Sequence, residues 1–560
     1  MKFFFWRTRL KHLKIDPDEV LLDAHNLPDF DVHQFEGRLE RPIPRQTFLM
    51  AMIFFAIIGM AFAGRTWILQ VRKGEAYSIQ SERNRLHHSL LFAERGVIYD
   101  RNGVELAWNI PSIKNDEISE RRYLSLSGLG HILGYIKYPT KDSSGFYFQE
   151  NFEGIDGIEK YYNKELGGTN GLKITETDAL GQIKSESLLT PPKDGESLTL
   201  SIDSNLEHKL YETIKLTALD FGFEGGGGVI LDIKNGEVLA LASFPEYDPN
   251  VLTSGGDSGA ISSLTNNPHN PFLNRVTSGL YTPGSIVKPF LAVGALEEKV
   301  IDPSAKILST GSISIPNPYF PDQKSVFKDW KAHGWVDVRH AIAISSNVYF
   351  YEIGGGFENQ KGLGIGGIDH YADMFGLGRE TGIDLPGEQS GVIPSPEWKE
   401  RNFPGDSWRI GDTYNTAIGQ YGFQITPLQE ARGIAAIANN GIATAPTMIK
   451  DKQNPKEVLP FDPRNLEIAK EGMRLSVTEG TASGLNISDI HIAAKTGTAE
   501  LGSLKQYVNS WVTGFFPYEN PRYAFAVIME KGPRQNTIGG VYVMRQLFEW
   551  MRGQTPEYLK

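Results

Sequence analysis

The chain has 560 residues, 40% of them hydrophobic and 22% charged, a composition of packed domains with room for about two to four. A net charge of −11 excludes the global basic surface that nucleic acid requires, so no nucleic-acid partner is expected. With no cysteine, disulfides, thiolate nucleophiles and cysteine-held metals are excluded, and an oxidising, extracytoplasmic space is suitable.

The start, MKFFFWRTRLKHLK, interleaves Phe3, Phe4, Phe5, Trp6, Leu10 and Leu13 with cations. It reads equally as a segment lying on an anionic leaflet and as a solvated basic tail. Residues 16–40 are acidic and carry few large apolar side chains, so a mostly disordered linker is expected. TFLMAMIFFAIIGMAFAG (47–64) is 18 residues without a charge, which reaches transmembrane length. Arg65 can snorkel, and Trp67 stands where an interfacial aromatic belongs. Ala61-Phe62-Ala63 reads like a signal-peptide cleavage site, but the hydrophilic stretch before it is too long for one, so a retained anchor is expected. Arg38, Arg41 and Arg45 precede the span and Arg65, Arg72 and Lys73 follow it, so the charge bias sets no orientation. The simpler arrangement is a cytoplasmic tail (1–45), a membrane helix (46–70) and a large external remainder.

Residues 72–88 suit a helical stalk. RGVIYDRNGVELA (95–107) predicts two strands about an Asn-Gly turn at 102–103. GIDGIEKYYNKELGGTNG (154–171) predicts a helix ended by Gly167-Gly168, and SLTLSID (197–203) a strand. Residues 71–203 therefore form a modest mixed domain with little core of its own. Beyond it, LEHKLYETIKLTALDFG (206–222) predicts an amphipathic helix burying Leu206, Leu210, Ile214, Leu216 and Leu219. GGVILDIKNGEVLALAS (227–243) is a hairpin about a second Asn-Gly turn, and Gly225–Gly228 reads as a loop. SWVTGFFPYENPRYAFAVIME (510–530) is another hairpin, and VYVMRQLFEWMRG (541–553) a final helix. Strands at both ends of 204–560 imply one antiparallel sheet, closed by the chain's termini and flanked by helices, an α+β fold.

Three short motifs fall in this larger domain. YTPGSIVKPF (281–290) sets Ser285 three residues before Lys288, at a helix start. The helix carries Ile286, Val287, Phe290, Leu291, Val293 and Leu296 around it, so it is expected to be buried. Desolvation favours the neutral amine, and a neutral Lys288 can take the Ser285 proton during nucleophilic attack. ISSNVYF (344–350) offers Ser345 to pass a proton toward a leaving amine and Asn347 to orient a carbonyl. AAKTGTAE (493–500) suits an edge strand on which a peptide lies, with Gly497 allowing close backbone approach. There Lys495 and the hydroxyls of Thr496 and Thr498 can hold a carboxylate. The backbone N–H groups of Thr498 and Ser285 would form an oxyanion hole. Singly, each motif has a bland reading as a cap or turn; S-x-x-K recurs at Ser325–Lys328 by chance. In order and in one domain they match a recorded signature of serine acyl-transfer enzymes. No G-x-S-x-G, P-loop or H-E-x-x-H motif competes, and the histidines form no ligand-spaced cluster.

From the membrane segment to the C-terminus the chain resembles the class B penicillin-binding proteins, and their elongation-type members most. RGVIYDRNGVELA and GIDGIEKYYNKELGG are similar to the family's pedestal motifs. DWKAHGWVDVRHAIAISSNVYFYEIG, FGLGRETGIDLPGE and SWRIGDTYNTAIGQ with ITPLQ are similar to the elongation type. The resemblance implies a penicillin-binding, serine β-lactamase-like transpeptidase domain (204–560) on a smaller, elongated, dimerisation-type pedestal (71–203). It implies a D,D-transpeptidase that crosslinks peptidoglycan stem peptides outside the cytoplasmic membrane and is acylated by β-lactams. By position, Ser285 attacks, Lys288 is the base, Ser345 relays a proton, Asn347 orients, Lys495 steadies charge, and Thr496, Gly497 and Thr498 bind substrate. No glycosyltransferase domain fits between membrane and catalytic domain, so the family implies a SEDS-type membrane partner and other elongation-complex proteins. The interval from Ala107 to GHILGYI (130–136) is much shorter than in better-known members, so part of the pedestal head is expected to be missing. Some relatives hold zinc through a cysteine near the second motif; with none here, no metal or other cofactor is expected, although Asp329 and His333 stand nearby. A β-lactamase or β-lactam sensor, and a non-catalytic cell-wall scaffold, are the alternatives.

Overall fold

The computed structural model describes residues 45–72, 87–112, 116–143, 145–177, 183–317, 319–320, 322–502 and 504–560. The basic start, the acidic linker and most of the expected stalk lie outside these residues. Within the unit that ends at His87, helix α1 (Arg45–Trp67) continues as a π-helical turn, Ile68–Arg72. The span Arg45–Val71 is long and apolar enough to cross a membrane, and none of its most apolar stretch is buried in protein. It exceeds the charge-free run because helical geometry continues through Arg65.

From His88 to Lys560 the chain is one compact unit. Its first part holds a four-stranded sheet, in which Ile98–Tyr99 pairs with Glu105–Ile110 across the Asn-Gly turn and in parallel with Leu198–Thr199. Gly103 takes a φ of 86°, and the Asp100 carboxylate accepts from the N–H groups of Asn102 and Val104, which fixes the turn. The helix predicted over 154–171 is two short helices, Gly157–Tyr161 and Asn163–Gly167, stopped by Gly168 at a φ of 64°.

Glu159 is the buried anchor of this part. Its carboxylate accepts from Arg95 Nε, Arg121 Nε and the Tyr123 hydroxyl. Burial works to raise its pKa, but the Arg121 and Arg95 guanidiniums outweigh burial and hold it below the ordinary range. Removing one partner of a buried charge cluster strands the others. Glu159→Ala is therefore expected to lower stability by about 3–5 kcal/mol, read as a fall in the urea midpoint with no shift in the site of covalent labelling.

Helix α2 (Ser204–Phe221) is capped by the Asp203 carboxylate and ends at Gly222 in the left-handed region. Leu206, Leu210 and Ile214 are buried as expected, but Leu216 is 52% and Leu219 64% exposed. Successive turns carry 206, 210 and 214 along one stripe, whose continuation is Thr217 and Ala218; position 216 points away.

Strand β1 (Gly225–Asp232) includes the whole glycine run expected to be a loop. The glycines are there for packing: a Cβ on Gly226 would lie 2.8 Å from Ile214 Cγ2, and one on Gly225 would lie 2.6 Å from Arg275 Nε. Strand β2 (Val238–Phe244) completes the first hairpin. Helices α3 (Lys288–Glu297), α4 (Val338–Ala343), α5 (Asn347–Gly355), α6 (Pro427–Ala438) and α7 (Pro463–Thr478) follow. Strands β3 (Ala493–Leu501), β4 (Tyr507–Phe516) and β5 (Tyr523–Pro533) and helix α8 (Gly540–Gln554) end the chain.

The five strands form one antiparallel sheet in the order β2-β1-β5-β4-β3, so β3 is an edge strand. Period-two alternation divides the faces. Phe525, Val527 and Met529 of β5 pack with α2 and α8. Ile528 of β5 and Trp511 and Phe515 of β4 pack with α3, α6 and α7. Helix α3 is buried on every side, which makes it the central helix of its layer. Val229, Leu231, Leu241 and Leu428 share a third cluster with Ile98, Leu106, Ile132 and Ile158 of the N-terminal part.

Candidate active site

Ser285 lies in a 3-10 turn, Gly284–Val287, that runs directly into α3. Side chains three apart eclipse in a 3-10 turn, so Ser285 and Lys288 project from the same side. Gly284 enters the turn at a φ of 60°, and its N–H donates to Gly419 O at 2.9 Å. A Cβ on Gly419 would lie 2.1 Å from Gly284 O, so the A-I-G-Q segment (417–420) supports the turn from below. Among the described residues the Ser285 hydroxyl has no hydrogen-bond partner.

Lys288 is fully buried. Its Nζ donates to Ser345 O and Asn347 Oδ1, each at 2.8 Å, and stands 3.4 Å from Ser345 Oγ and 5.3 Å from the Phe350 ring centroid. Burial pulls its pKa down, Asp329 works against that pull, and the balance is about 7. Two N–H donors are engaged by the two close oxygens, and the neutral amine keeps a lone pair. Lys495 Nζ, also fully buried, donates to Ser345 Oγ at 2.8 Å and to Thr496 O at 2.7 Å. Burial first, and the charge of Lys288 second, hold Lys495 well below the usual lysine range. Ser345 Oγ thus stands between two lysines, both of which are pushed toward the neutral amine.

Ser345 has a φ of 59°, the left-handed region that side chains rarely occupy. It is the hinge between α4 and α5. Ser346, not Ser345, caps α5, accepting from the Tyr349 N–H. Ser345 and Asn347 thus sit on a single strained turn that runs directly into a helix start.

On β3, Lys495 and Gly497 face inward while Thr496 and Thr498 alternate outward. The Thr496 hydroxyl donates to Thr481 Oγ1 at 2.6 Å, and Thr498 is exposed. A Cβ on Gly497 would lie 2.8 Å from Pro283 O and 2.9 Å from Ile286 Cγ2. The close approach that Gly497 permits is therefore that of the serine's own turn. Gly497→Ala is expected to push β3 off that turn and slow acylation of Ser285 about 10²-fold, measured as the rate of covalent penicillin labelling.

The decoy separates cleanly. Ser325 and Lys328 lie on the strand Lys324–Lys328, where residues three apart point to opposite faces. Sequence reasoning missed Asp329 and Trp330 as parts of the site. Asp329 Oδ2 accepts from Ser346 Oγ at 2.7 Å and Val348 N at 3.0 Å. Trp330 Nε1 donates to Ile344 O at 3.1 Å. The Asp-Trp pair in DWKAHGW is the available signal, but nothing local ties it to a turn further along the chain.

Comparison with known proteins identifies the family. The penicillin-binding protein transpeptidase domain family matches residues 226–545, and the penicillin-binding protein dimerisation domain family matches 109–200. A curated relative, the peptidoglycan D,D-transpeptidase MrdA of Haemophilus influenzae, is 32% identical over 76% of this chain and 68% of its own length. The solved complex of penicillin-binding protein PBP2 with MreC from Helicobacter pylori is 27% identical, with a TM-score of 0.71 over 84% of this chain and 99% of that one. Pseudomonas aeruginosa PBP2 in complex with WCK 5153 is 31% identical, with a TM-score of 0.70 over 85% of this chain and 98% of that one. With the three motifs gathered around one buried lysine and this family matched over more than half its length, the chain belongs to the penicillin-binding protein transpeptidases.

Proposed function

We propose that this chain is a serine D,D-transpeptidase that crosslinks peptidoglycan stem peptides during cell elongation. The observation that carries the mechanism is Lys288, buried, with its pKa pulled down to about 7, and placed one turn after Ser285. Ser285 Oγ attacks the penultimate carbonyl of a D-Ala-D-Ala end, and its proton passes to the lone pair of Lys288. The N–H groups of Ser285 and Thr498 stabilise the oxyanion. As the peptide C–N bond breaks, the proton passes through Ser345 Oγ to the leaving D-alanine amine. Asn347 orients the substrate, Lys495 steadies charge, and Thr496 and Thr498 bind the terminal carboxylate beside Gly497. A stem-peptide amine then attacks the acyl-enzyme, forms the crosslink and frees Ser285. β-Lactams acylate the same serine.

The reading places a dimerisation-type pedestal at 71–203 and the transpeptidase domain at 204–560. Helix α1 serves as a single-pass anchor in the cytoplasmic membrane, with the tail inside and the catalytic part outside. Polymerisation then falls to a SEDS-type glycosyltransferase partner, and the MreC complex of the Helicobacter pylori relative supports further elongation-complex partners. Labelling with fluorescent penicillin tests the function. A stable adduct at Ser285 is expected; rapid turnover would mark a β-lactamase or sensor, and no adduct a scaffold.

A further inference from the structure

We propose that Asp329, with Trp330, is the positioning residue that holds the strained Ser345 turn in register with Lys288. The inference rests on the acyl-enzyme reading above and adds a part that none of its three motifs contains.

The turn at Ser345 has a left-handed backbone and closes α4, the Ser345 N–H donating to Ile342 O at 3.3 Å and the Ser346 N–H to Ala341 O at 3.0 Å, while its Ile344 carbonyl and the first N–H groups of α5 are left for other partners. Two consecutive side chains from a separate segment bracket it. On its N-terminal side the Trp330 indole N–H donates to Ile344 O; on its C-terminal side Asp329 Oδ2 accepts from Ser346 Oγ and Val348 N. Asp329 is itself fixed: Ser309 Oγ donates to Oδ2 at 3.2 Å and the Trp330 N–H to Oδ1 at 2.9 Å. Its side chain is 0% exposed. Ser346 alone already caps α5, so Asp329 supplies more than an ordinary cap.

The bracket reaches the chemistry through the turn. Lys288 Nζ is aimed by Ser345 O and Asn347 Oδ1, both inside the bracketed residues 344–348. Asp329 makes no hydrogen bond to Ser285, Lys288 or Lys495 among the described residues, so it acts by placement and by charge. Burial works to raise the Asp329 carboxyl, but the Asn347 and Val348 N–H groups and the Ser346 hydroxyl outweigh it and keep it ionised. That charge favours the Lys288 ammonium and opposes the burial that pulls Lys288 down. The other ionisable groups facing the pair among the described residues are Lys495 on β3, Tyr351 on α5, whose hydroxyl feels the Asp329 charge, and His333, whose Nε2 stands 3.6 Å from Asp329 Oδ1, with Lys331 acting on His333.

The test uses the detergent-solubilised full chain and measures penicillin acylation rate against pH for the wild type, Asp329→Ala and Asp329→Asn. Asp329→Ala is expected to acylate about 10²-fold more slowly, with Ser285 still the labelled residue on peptide mapping. Asp329→Asn keeps an acceptor and is expected to recover most of that rate. Having lost the charge, its acid limb should move to lower pH, since burial then acts on Lys288 unopposed. An Asp329→Ala rate within about twofold of wild type, or an unmoved acid limb in Asp329→Asn, overturns the proposal. If Asp329→Ala does not fold, the Asp329→Asn profile decides alone. A wild-type chain that takes no label refutes the acyl-enzyme reading instead.

Discussion

Ser285→Ala is expected to abolish covalent labelling by penicillin, a loss of about 10⁶-fold in acylation, while Ser325→Ala keeps the wild-type rate. Both serines sit three residues before a lysine, so the tetrapeptide spacing cannot separate them. Their surroundings do. Ser285 is on a 3-10 turn that eclipses it with a lysine stripped of water, and Ser325 is on a two-stranded ribbon whose lysine is exposed on the other face. Burial brings the Lys288 pKa down to about 7, which suits a base at neutral pH. A labelled Ser285→Ala protein would place the nucleophile elsewhere.

Lys288→Met should keep the helix buried and lower acylation about 10³-fold, the usual contribution of a positioned base. In the wild type the acylation rate should fall as pH drops below about 7. The sign follows from the direction of the shift. Burial depresses the lysine pKa, so the amine is neutral above that value, able to accept the serine proton, and protonated below it. Below that pH each further unit removes about tenfold of the competent form. Lys495 does not replace it, because it projects from β3 toward Ser345 Oγ and Thr496 O, whereas Lys288 shares the turn of Ser285. A rate that stays flat well into the acid range would show that another group accepts the proton.

Much of the frame was legible because its signals are local. Asn-Gly between apolar runs marks a hairpin wherever it stands, and the apolar residues around Lys288 announce a buried helix before any fold is known. The misreadings share one cause. Gly225–Gly228 has the composition of a loop, and only the later arrival of Ile214 and Arg275 against it makes glycine the residue that a strand needs there. Leu216 and Leu219 are leucines in a helix, but the stripe is chosen by the sheet the helix lands on. Ser345 gives no sequence sign of its left-handed φ. Asp329 and Trp330 come from a different element than the turn they bracket, so no spacing rule connects them. Periodicity reports which residues share a face, while tertiary contact decides which conformations are tolerated.

The shared cluster beneath the sheet bears on how this protein can be handled. Val229, Leu231 and Leu241 are covered in part by Ile98, Leu106, Ile132 and Ile158. A fragment beginning near residue 204 would strip that cover and bare an apolar patch on the α6 side of the sheet, the same face that carries α3, a surface that invites aggregation. A soluble version for inhibitor screening should therefore lose the membrane helix but keep the chain from about Phe92 onward. The N-terminal part is a structural lining of the enzyme, and its removal would be felt as insolubility before any loss of chemistry could be measured.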